Sequence, residues 1–414
     1  MAKAILEGIR VIEFGTGAAM PDIGYVLGSF GADVIHVEGK NAHDYMRNLT
    51  ATGNINDNPG FNDSNRYKRG VVINLKEMKG KELAKEIIKK CDIVLENFRA
   101  DVMGKWGLDY ESVRKVKPDI IYLSTQGWGG GGPYSNYTSY GPHAPSAGGL
   151  LYMWNYFDVD HPGGVALNHP DHISAKLGII PLLAALDHRR RTGKGQHIDL
   201  AQVEVGAGLI GDSYLEYTFD KRHPLPMGNR NPRAAPHGIY KCKGTVQYAD
   251  STPPVEDRWI AISVFTEEEW DDLCRAIGAP AWTKSPRFAT LLDRKENEDE
   301  LDRLVEEWTR TQDPWDAMKI LQQAGVSAGV VSWPDDLIFR DPHLKARGFI
   351  IELEHPTAGK TYHVSQPIRL SETPALPSTP APMFDQHTDE VLHDILEISE
   401  EEIKKLRDEG AVGA

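Results

Sequence analysis

A doubly wound, Rossmann-like α/β domain joined to a smaller α+β domain is the fold the sequence predicts. Three features predict it: a strand-helix-strand opening, continued alternation of apolar strands with amphipathic helices to about residue 125, and a change of texture near residue 220. Length agrees, since 414 residues exceed what one hydrophobic core usually organises.

Gly8 to Phe14 reads as the first strand. The small-residue turn Gly15-Thr16-Gly17-Ala18-Ala19-Met20-Pro21 then opens a helix that ends near Gly31, and Ala32 to Glu38 is a second strand. Such a βαβ unit belongs to a parallel sheet. After a polar loop the alternation resumes with Val71 to Leu75 as strand, Met78 to Lys90 as helix, Asp92 to Glu96 as strand and Ile120 to Ser124 as strand.

Ile173 to Arg191 has apolar residues on more than one helical face, which predicts a deeply buried helix, capped at its C-terminus by Gly193. Gln196 to Leu200 reads as another strand and Ala201 to Phe219 as another helix. The run Lys221-Arg222-His223-Pro224-Leu225-Pro226 breaks regular structure. These signals give a large domain over residues 1-220, a small α+β domain over 225-325, and a return to the large domain over 326-414, where a Pro-rich crossing (Thr373 to Pro382) precedes a helical tail. The large domain is thus built from N- and C-terminal parts.

Sixty acidic against 46 basic residues give a net charge of −14, which disfavours nucleic acid and anionic membrane as partners. No apolar run reaches membrane-spanning length and none at the start resembles a signal sequence, so a cytoplasmic protein is expected. Cys91, Cys242 and Cys274 are far apart and lack metal-ligand spacing, so no metal is expected and the thiols read as buried spectators.

In a doubly wound fold, ligands collect at the carboxyl ends of the strands, here Gly15 to Ala18, Asn97-Phe98-Arg99 and Gln126-Gly127-Trp128. The first turn lacks the third glycine of the dinucleotide fingerprint, which argues against a nicotinamide or flavin cofactor. Lys68, Arg69 and Lys76 flank a strand, where they are either phosphate contacts or solvated charges. Gly129-Gly130-Gly131-Gly132 suits a mobile active-site loop as well as an ordinary surface loop. Asp171, just after Pro170 and ahead of the long helix, reads as an N-cap. A carboxylate there is also a sound nucleophile, because the first-turn amides hold it ionised without a general base.

Read in order, these segments resemble one family. Val11 to Phe14 with Gly31 to Glu38, Asn65 to Arg69 with Asn74 to Lys76, Asp92 to Arg99, Gly127-Trp128-Gly129 with Gly132-Pro133-Tyr134, Asp171 to Leu186, Thr192 to Gln196, Gly228-Asn229 and His387 to Glu390 are similar to class III CoA-transferases, the formyl-CoA transferase and carnitine CoA-transferase family. The likeness spans nearly the whole chain.

The resemblance implies that Asp171 is the nucleophile, forming an aspartyl anhydride and then an aspartyl-CoA thioester. It implies acyl-CoA as substrate and a carboxylic acid as acceptor. Coenzyme A contacts carry over to Thr16, Gly17, Ala18, Ala19, Ile73, Lys76, Asn97, Phe98, Lys105 and Tyr140. It further implies an interlocked homodimer, or a heteromer with a related subunit. The turn Gly17 to Pro21 departs from the family pattern, and aromatic residues crowd Leu151 to Phe157. Both point to a bulky or aromatic acid such as benzylsuccinate, with succinyl-CoA as donor. The alternatives are an acyl-CoA racemase of the same superfamily and a CoA-binding subunit active only beside a sister chain.

Overall fold

The computed structural model describes residues 4-159, 169-248 and 252-413. The chain divides into two units, the first comprising Met1–Leu151, Gly164–His223 and His343–Ala414, the second Tyr152–Gly163 and Pro224–Pro342. The first unit is accordingly assembled from both ends of the chain. Its C-terminal part begins near residue 343, where the sequence pattern placed the return at 326.

The first unit holds a six-stranded sheet of β1 (Arg10–Phe14), β2 (Asp33–Glu38), β3 (Lys68–Val72), β4 (Ile93–Glu96), β5 (Ile121–Gln126) and β6 (Gln196–Ala201). The strand order is β3-β2-β1-β4-β5-β6 and every pairing is parallel. The strands are apolar runs because both faces are covered. One face packs Ile12, Ile35 and Val94 against the helix Met78–Lys89 and the tail helices Thr388–Leu396 and Glu400–Asp408. The other packs Val11, Val34 and Ile93 against the helices Ala19–Ser29 and His169–Thr192. Strand order reverses between β1 and β4, so the loops leaving those strands diverge and open a crevice at the carboxyl edge.

The tail fixes one side of that edge. Asn74 donates its backbone N–H to the Ala411 carbonyl at 2.9 Å and its side-chain amide to the Gly410 carbonyl at 3.0 Å. The Ile73-to-Lys76 turn is thereby held at the end of β3. The hairpin of β10 (Ile350–His355) and β11 (Gly359–Val364) completes the first unit's strands.

The second unit has its own antiparallel sheet of β7 (His237–Cys242), β8 (Arg258–Ser263) and β9 (Ser327–Val331). Helices Glu267–Ala276, Glu298–Thr309 and Pro314–Gln323 bury Trp270, Leu273, Leu301, Val305 and Leu321 with Ile260 and Ile262. Because β9 is the third strand here, residues 326-342 stay with the small unit.

The helix His169–Thr192 departs from its expected burial. It meets the sheet through small residues: Ser174, Ala175, Gly178 and Ala185 are buried with Leu182. A Cβ on Gly178 would lie 3.2 Å from Ile23 and 3.4 Å from Leu123, which is why glycine serves there. Its opposite face leaves Leu177 43%, Ile180 66% and Leu183 44% exposed. Gly193, at φ +72°, ends the helix as expected. The predicted helix 201-219 is two helices, Gln202–Gly208 and Gly211–Asp220. No helix among the described residues is long and apolar enough to cross a membrane.

A buried ionic network ties the central strands together. Lys68 Nζ donates to both oxygens of Glu13 at 2.9 and 3.1 Å, to the Pro21 carbonyl at 2.8 Å and to Asn65 Oδ1 at 2.9 Å. His36 Nδ1 lies 2.7 Å from Glu13 Oε1. Glu13 and the Lys68 ammonium are fully buried, so Lys68 has no route to a phosphate. Arg69 instead bonds Asp33 and Glu390. Removing one partner strands a buried charge. Lys68→Met is therefore expected to cost about 3–5 kcal/mol in urea denaturation, and Glu13→Gln combined with Lys68→Met to recover much of it. A loss in the double variant equal to the sum of the two single-variant losses would show that the pair is not coupled.

Candidate active site

The crevice between β1 and β4 is closed by one side chain. Asn97 accepts the Thr16 N–H at 3.1 Å and donates to the Thr16 carbonyl at 2.8 Å, joining the two diverging loops. One residue on, the Gly17 N–H donates to the Asp44 carboxylate at 3.1 Å. Asp44 in turn donates its backbone N–H to Glu38 at 2.8 Å, and Arg47 holds Glu38 at 2.9 Å while its guanidinium lies 3.6 Å over the Phe61 ring. Gly17 sits at φ +82°, and a Cβ there would fall 2.6 Å from the Tyr45 hydroxyl. Conformation and space both demand glycine at this turn.

Two cavities adjoin this loop. The first, about 240 Å³, is lined by Thr16, Ala18, Ala19, Tyr45, Asn97, Phe98, Gln126 to Trp128, Tyr137 to Gly141, Asp171 and Gln202, among others. The second, about 200 Å³, is lined by Gly39, Lys40, Ile73, Lys76 and Trp106 among others, and shares Thr16 and Phe98 with the first. The structure thus brings Thr16, Ala18, Ala19, Asn97, Phe98 and Tyr140 to the cavity of Asp171, and Ile73 and Lys76 to its neighbour. Gly17 lies in the loop between Thr16 and Ala18. Lys105 lines neither cavity; its ammonium is paired with Asp101 and its side chain is 64% exposed.

Asp171 corrects the sequence reading in one respect. The helix begins at His169, so Asp171 is in its first turn rather than at its cap. Its carboxylate has no hydrogen-bond partner among the described residues, so the helix amides expected to hold it ionised do not reach it. Burial pushes its pKa up to about 6, opposed by the charge of His172 and reinforced by that of Asp22. At neutral pH roughly nine-tenths of it is still a carboxylate, and a more basic one than an exposed aspartate. Asp22, in the first turn of the facing helix, holds His172 Nδ1 at 2.7 Å.

Several lining groups lay outside the positions singled out from the sequence, Trp128 excepted. Thr125 Oγ1, Trp128 Nε1 and Ser139 Oγ are buried without a hydrogen-bond partner among the described residues, and all three residues line the cavity. Each leaves a polar atom unpaired just behind the cavity wall. Glu96 lies beneath: burial raises its pKa to about 7 against hydrogen bonds from Ser124, the Phe98 amide and Gln126. Tyr45 and Gln202 come from a loop and a helix that no motif marks. The glycine run contributes less than expected, since Gly130 donates to Asp199 at 2.8 Å and none of Gly129 to Gly132 is in the cavity lining.

No histidine among the described residues lines the cavity. His143, the nearest candidate for a racemase base, accepts the Tyr140 N–H at 2.9 Å instead. Burial raises the Cys242 and Cys274 thiols to about 12 and about 11, so neither is a thiolate at neutral pH. No group of three potential metal ligands stands together among the described residues.

A parallel sheet with its crevice at the strand-order reversal, lined by a buried carboxylate and two connected hollows, is the architecture of an enzyme that handles an extended ligand. Residues 6-388 match CoA-transferase family III, and the chain belongs to that family and so to the CoA-transferase enzymes. It is 30% identical over 437 residues to a formyl-CoA:oxalate CoA-transferase of Afipia carboxidovorans, covering 100% of this chain and 98% of that one. A succinate-glutarate CoA-transferase of Agrobacterium fabrum is 30% identical over 400 residues, covering 95% and 96%. Among solved structures, a CAIB/BAIF family protein from Brucella suis superposes with a TM-score of 0.82 at 28% identity, over 95% of this chain and 100% of that one.

The electrostatics of Asp171 have a consequence for stability. Its pKa in the folded chain, about 6, lies above its ordinary value of 3.8. The folded state therefore binds the extra proton, and stability falls as pH rises through that window. Asp171→Asn lacks this penalty. It is expected to be more stable than the wild type by up to about 3 kcal/mol above pH 7, with the difference vanishing below pH 4. Thermal denaturation at both pH values checks this, and a variant less stable at pH 7 than at pH 4, relative to wild type, contradicts it.

Proposed function

We propose that this chain moves coenzyme A from a donor acyl-CoA to a carboxylic acid, with Asp171 as the covalent nucleophile. The observation that carries the reading is the buried carboxylate without a protein partner, lining a cavity that shares Thr16 and Phe98 with a second hollow. A thioester carbonyl beside Asp171 leaves room for the rest of coenzyme A to run past Thr16 and Phe98 toward Ile73 and Lys76. Lys76 supplies a cation for its phosphates.

In this reading Asp171 attacks the donor thioester carbonyl, and the carbon-sulfur bond breaks to give an aspartyl mixed anhydride and CoA thiolate. Thiolate attacks the Asp171 carbonyl, releasing the donor acid and leaving an aspartyl-CoA thioester. The acceptor carboxylate displaces thiolate to form a new anhydride. Thiolate then takes the acceptor acyl group and restores the Asp171 carboxylate. Each addition places negative charge on a carbonyl oxygen. The unpartnered donors Trp128 Nε1, Thr125 Oγ1 and Ser139 Oγ are candidates to answer it where the bound ligand exposes them.

Oxalate, succinate and glutarate in the relatives' names are diacids, with formyl the exception, which supports a dicarboxylic substrate and succinyl-CoA as donor. The cavity's aromatic lining of Tyr45, Phe98, Trp128, Tyr137 and Tyr140 supports an acceptor with an aryl or other bulky substituent, such as benzylsuccinate. The exposed apolar face of Leu177, Ile180 and Leu183 supports assembly with a second copy in an interlocked dimer. Dependence on acyl-CoA pools supports a cytoplasmic site of action.

The test is direct. Incubation with succinyl-CoA, quenching with hydroxylamine and peptide mass spectrometry is expected to find the label on Asp171 alone. Transfer by Asp171→Ala, assayed against a panel of dicarboxylic and aryl-substituted acids, is expected to fall at least about a thousandfold. Transfer by that variant at the wild-type rate contradicts the mechanism.

A further inference from the structure

We infer that Asp22 and His172 form a positioning pair for Asp171, a clamp that keeps one positive charge beside the nucleophilic carboxylate. This rests on the reading of Asp171 as nucleophile. His172 follows Asp171 in the first turn of the helix His169–Thr192, and its Nδ1 is 2.7 Å from Asp22 Oδ2. Asp22 is a rigid anchor. It is 8% exposed, in the first turn of the helix Ala19–Ser29, next to the Pro21 carbonyl that the buried Lys68 holds at 2.8 Å. Lys176, one turn beyond His172, approaches the same Asp22 oxygen at 3.5 Å.

The charges around Asp171 show why such a clamp matters. From its own helix come His172 and, through Asp22, Lys176; from the facing helix comes Asp22; from the loop after β2 comes Tyr45, with Asp44 behind it and Tyr140 beside it. Burial, then the charges of Asp44 and Asp171, raise the Tyr45 phenol, so it stays neutral. The hydrogen bond to Asp22 favours protonated His172 more than burial opposes it. Protonated, the imidazole is the group that opposes burial and the like charge of Asp22 at Asp171, without cancelling them. Without it, the carboxylate would face Asp22 alone and take up a proton at higher pH, losing nucleophilicity near neutrality. Asp22 has the opposite direct effect on Asp171, so its useful role is to hold and charge the imidazole.

Full-length protein with ¹³C-carboxyl aspartate tests this by NMR titration, the Asp171 resonance being assigned by its loss in Asp171→Asn. His172→Gln is expected to raise the Asp171 midpoint by roughly one pH unit, and His172→Arg to return it toward wild type. Lys176→Gln should move it less. The acid limb of hydroxylamine-trapped acylation by succinyl-CoA should shift with the NMR midpoint. His172 is partly exposed, and His172→Asn serves in place of a glutamine variant that fails to fold. An unchanged midpoint in the neutral variants, with Asp171 still acylated, overturns the clamp and leaves the nucleophile standing. Absence of label on Asp171 in an active wild type overturns the nucleophile, whatever the titration shows.

Discussion

The Glu13–Lys68 ion pair is the contact on which the geometry of the carboxyl edge depends. It joins β1 to β3 across β2, and the Lys68 ammonium also reaches the Pro21 carbonyl and Asn65. The helix Ala19–Ser29 is thereby fixed at the point where it leaves the loop Gly15 to Ala18. A Cβ on Gly24 would lie 1.9 Å from Glu13 Oε2, so glycine is what lets that helix lie over the buried pair. Buried pairs of this kind are costly to desolvate and stabilise little by comparison with apolar packing. Their use here is placement: one ammonium sets the position of the loop, the helix start and Asp22 together.

Asp171 illustrates the opposite choice, a charge left without hydrogen bonds. A carboxylate satisfied by helix amides would be acidic and a poor nucleophile. One buried without them is more basic, and its cost appears as lowered stability at neutral pH. Neighbouring charge then sets how far that basicity rises, and on the proposed reading this gives Asp22 and His172 a bearing on rate while neither forms a covalent bond. In the proposed mechanism a closed site would also protect the anhydride, which hydrolyses readily.

Much of this was legible in the sequence. The apolar strands declared a parallel sheet because both its faces are covered, and the small-residue turn after β1 and Asn97-Phe98 after β4 fall where a reversal of strand order puts a crevice. Asp171 was singled out as the proposed nucleophile only through an ordered resemblance, since a lone aspartate near a helix start reads as a cap. The misses have physical causes. Lys68 and Arg69 looked like surface cations because sequence does not show that Glu13 and Asp33 await them on adjacent strands. Leu177, Ile180 and Leu183 looked like core, yet the helix meets its sheet through Ser174, Ala175 and Gly178. Tyr45, Ser139 and Gln202 reach the cavity from segments without periodicity or motif, and the Asp22–His172 hydrogen bond joins residues 150 positions apart.

The central claim is that Asp171 passes through an anhydride with the acceptor acid, and oxygen isotope transfer tests it most directly. When the acceptor carboxylate carries ¹⁸O, one of its oxygens becomes the bridge of the anhydride and stays on Asp171 after thiolate takes the acyl group. The account predicts that turnover with succinyl-CoA and a labelled acceptor places ¹⁸O in the Asp171 side chain, and then in the succinate released by later turnovers. Efficient transfer that leaves Asp171 and the succinate free of ¹⁸O would contradict it.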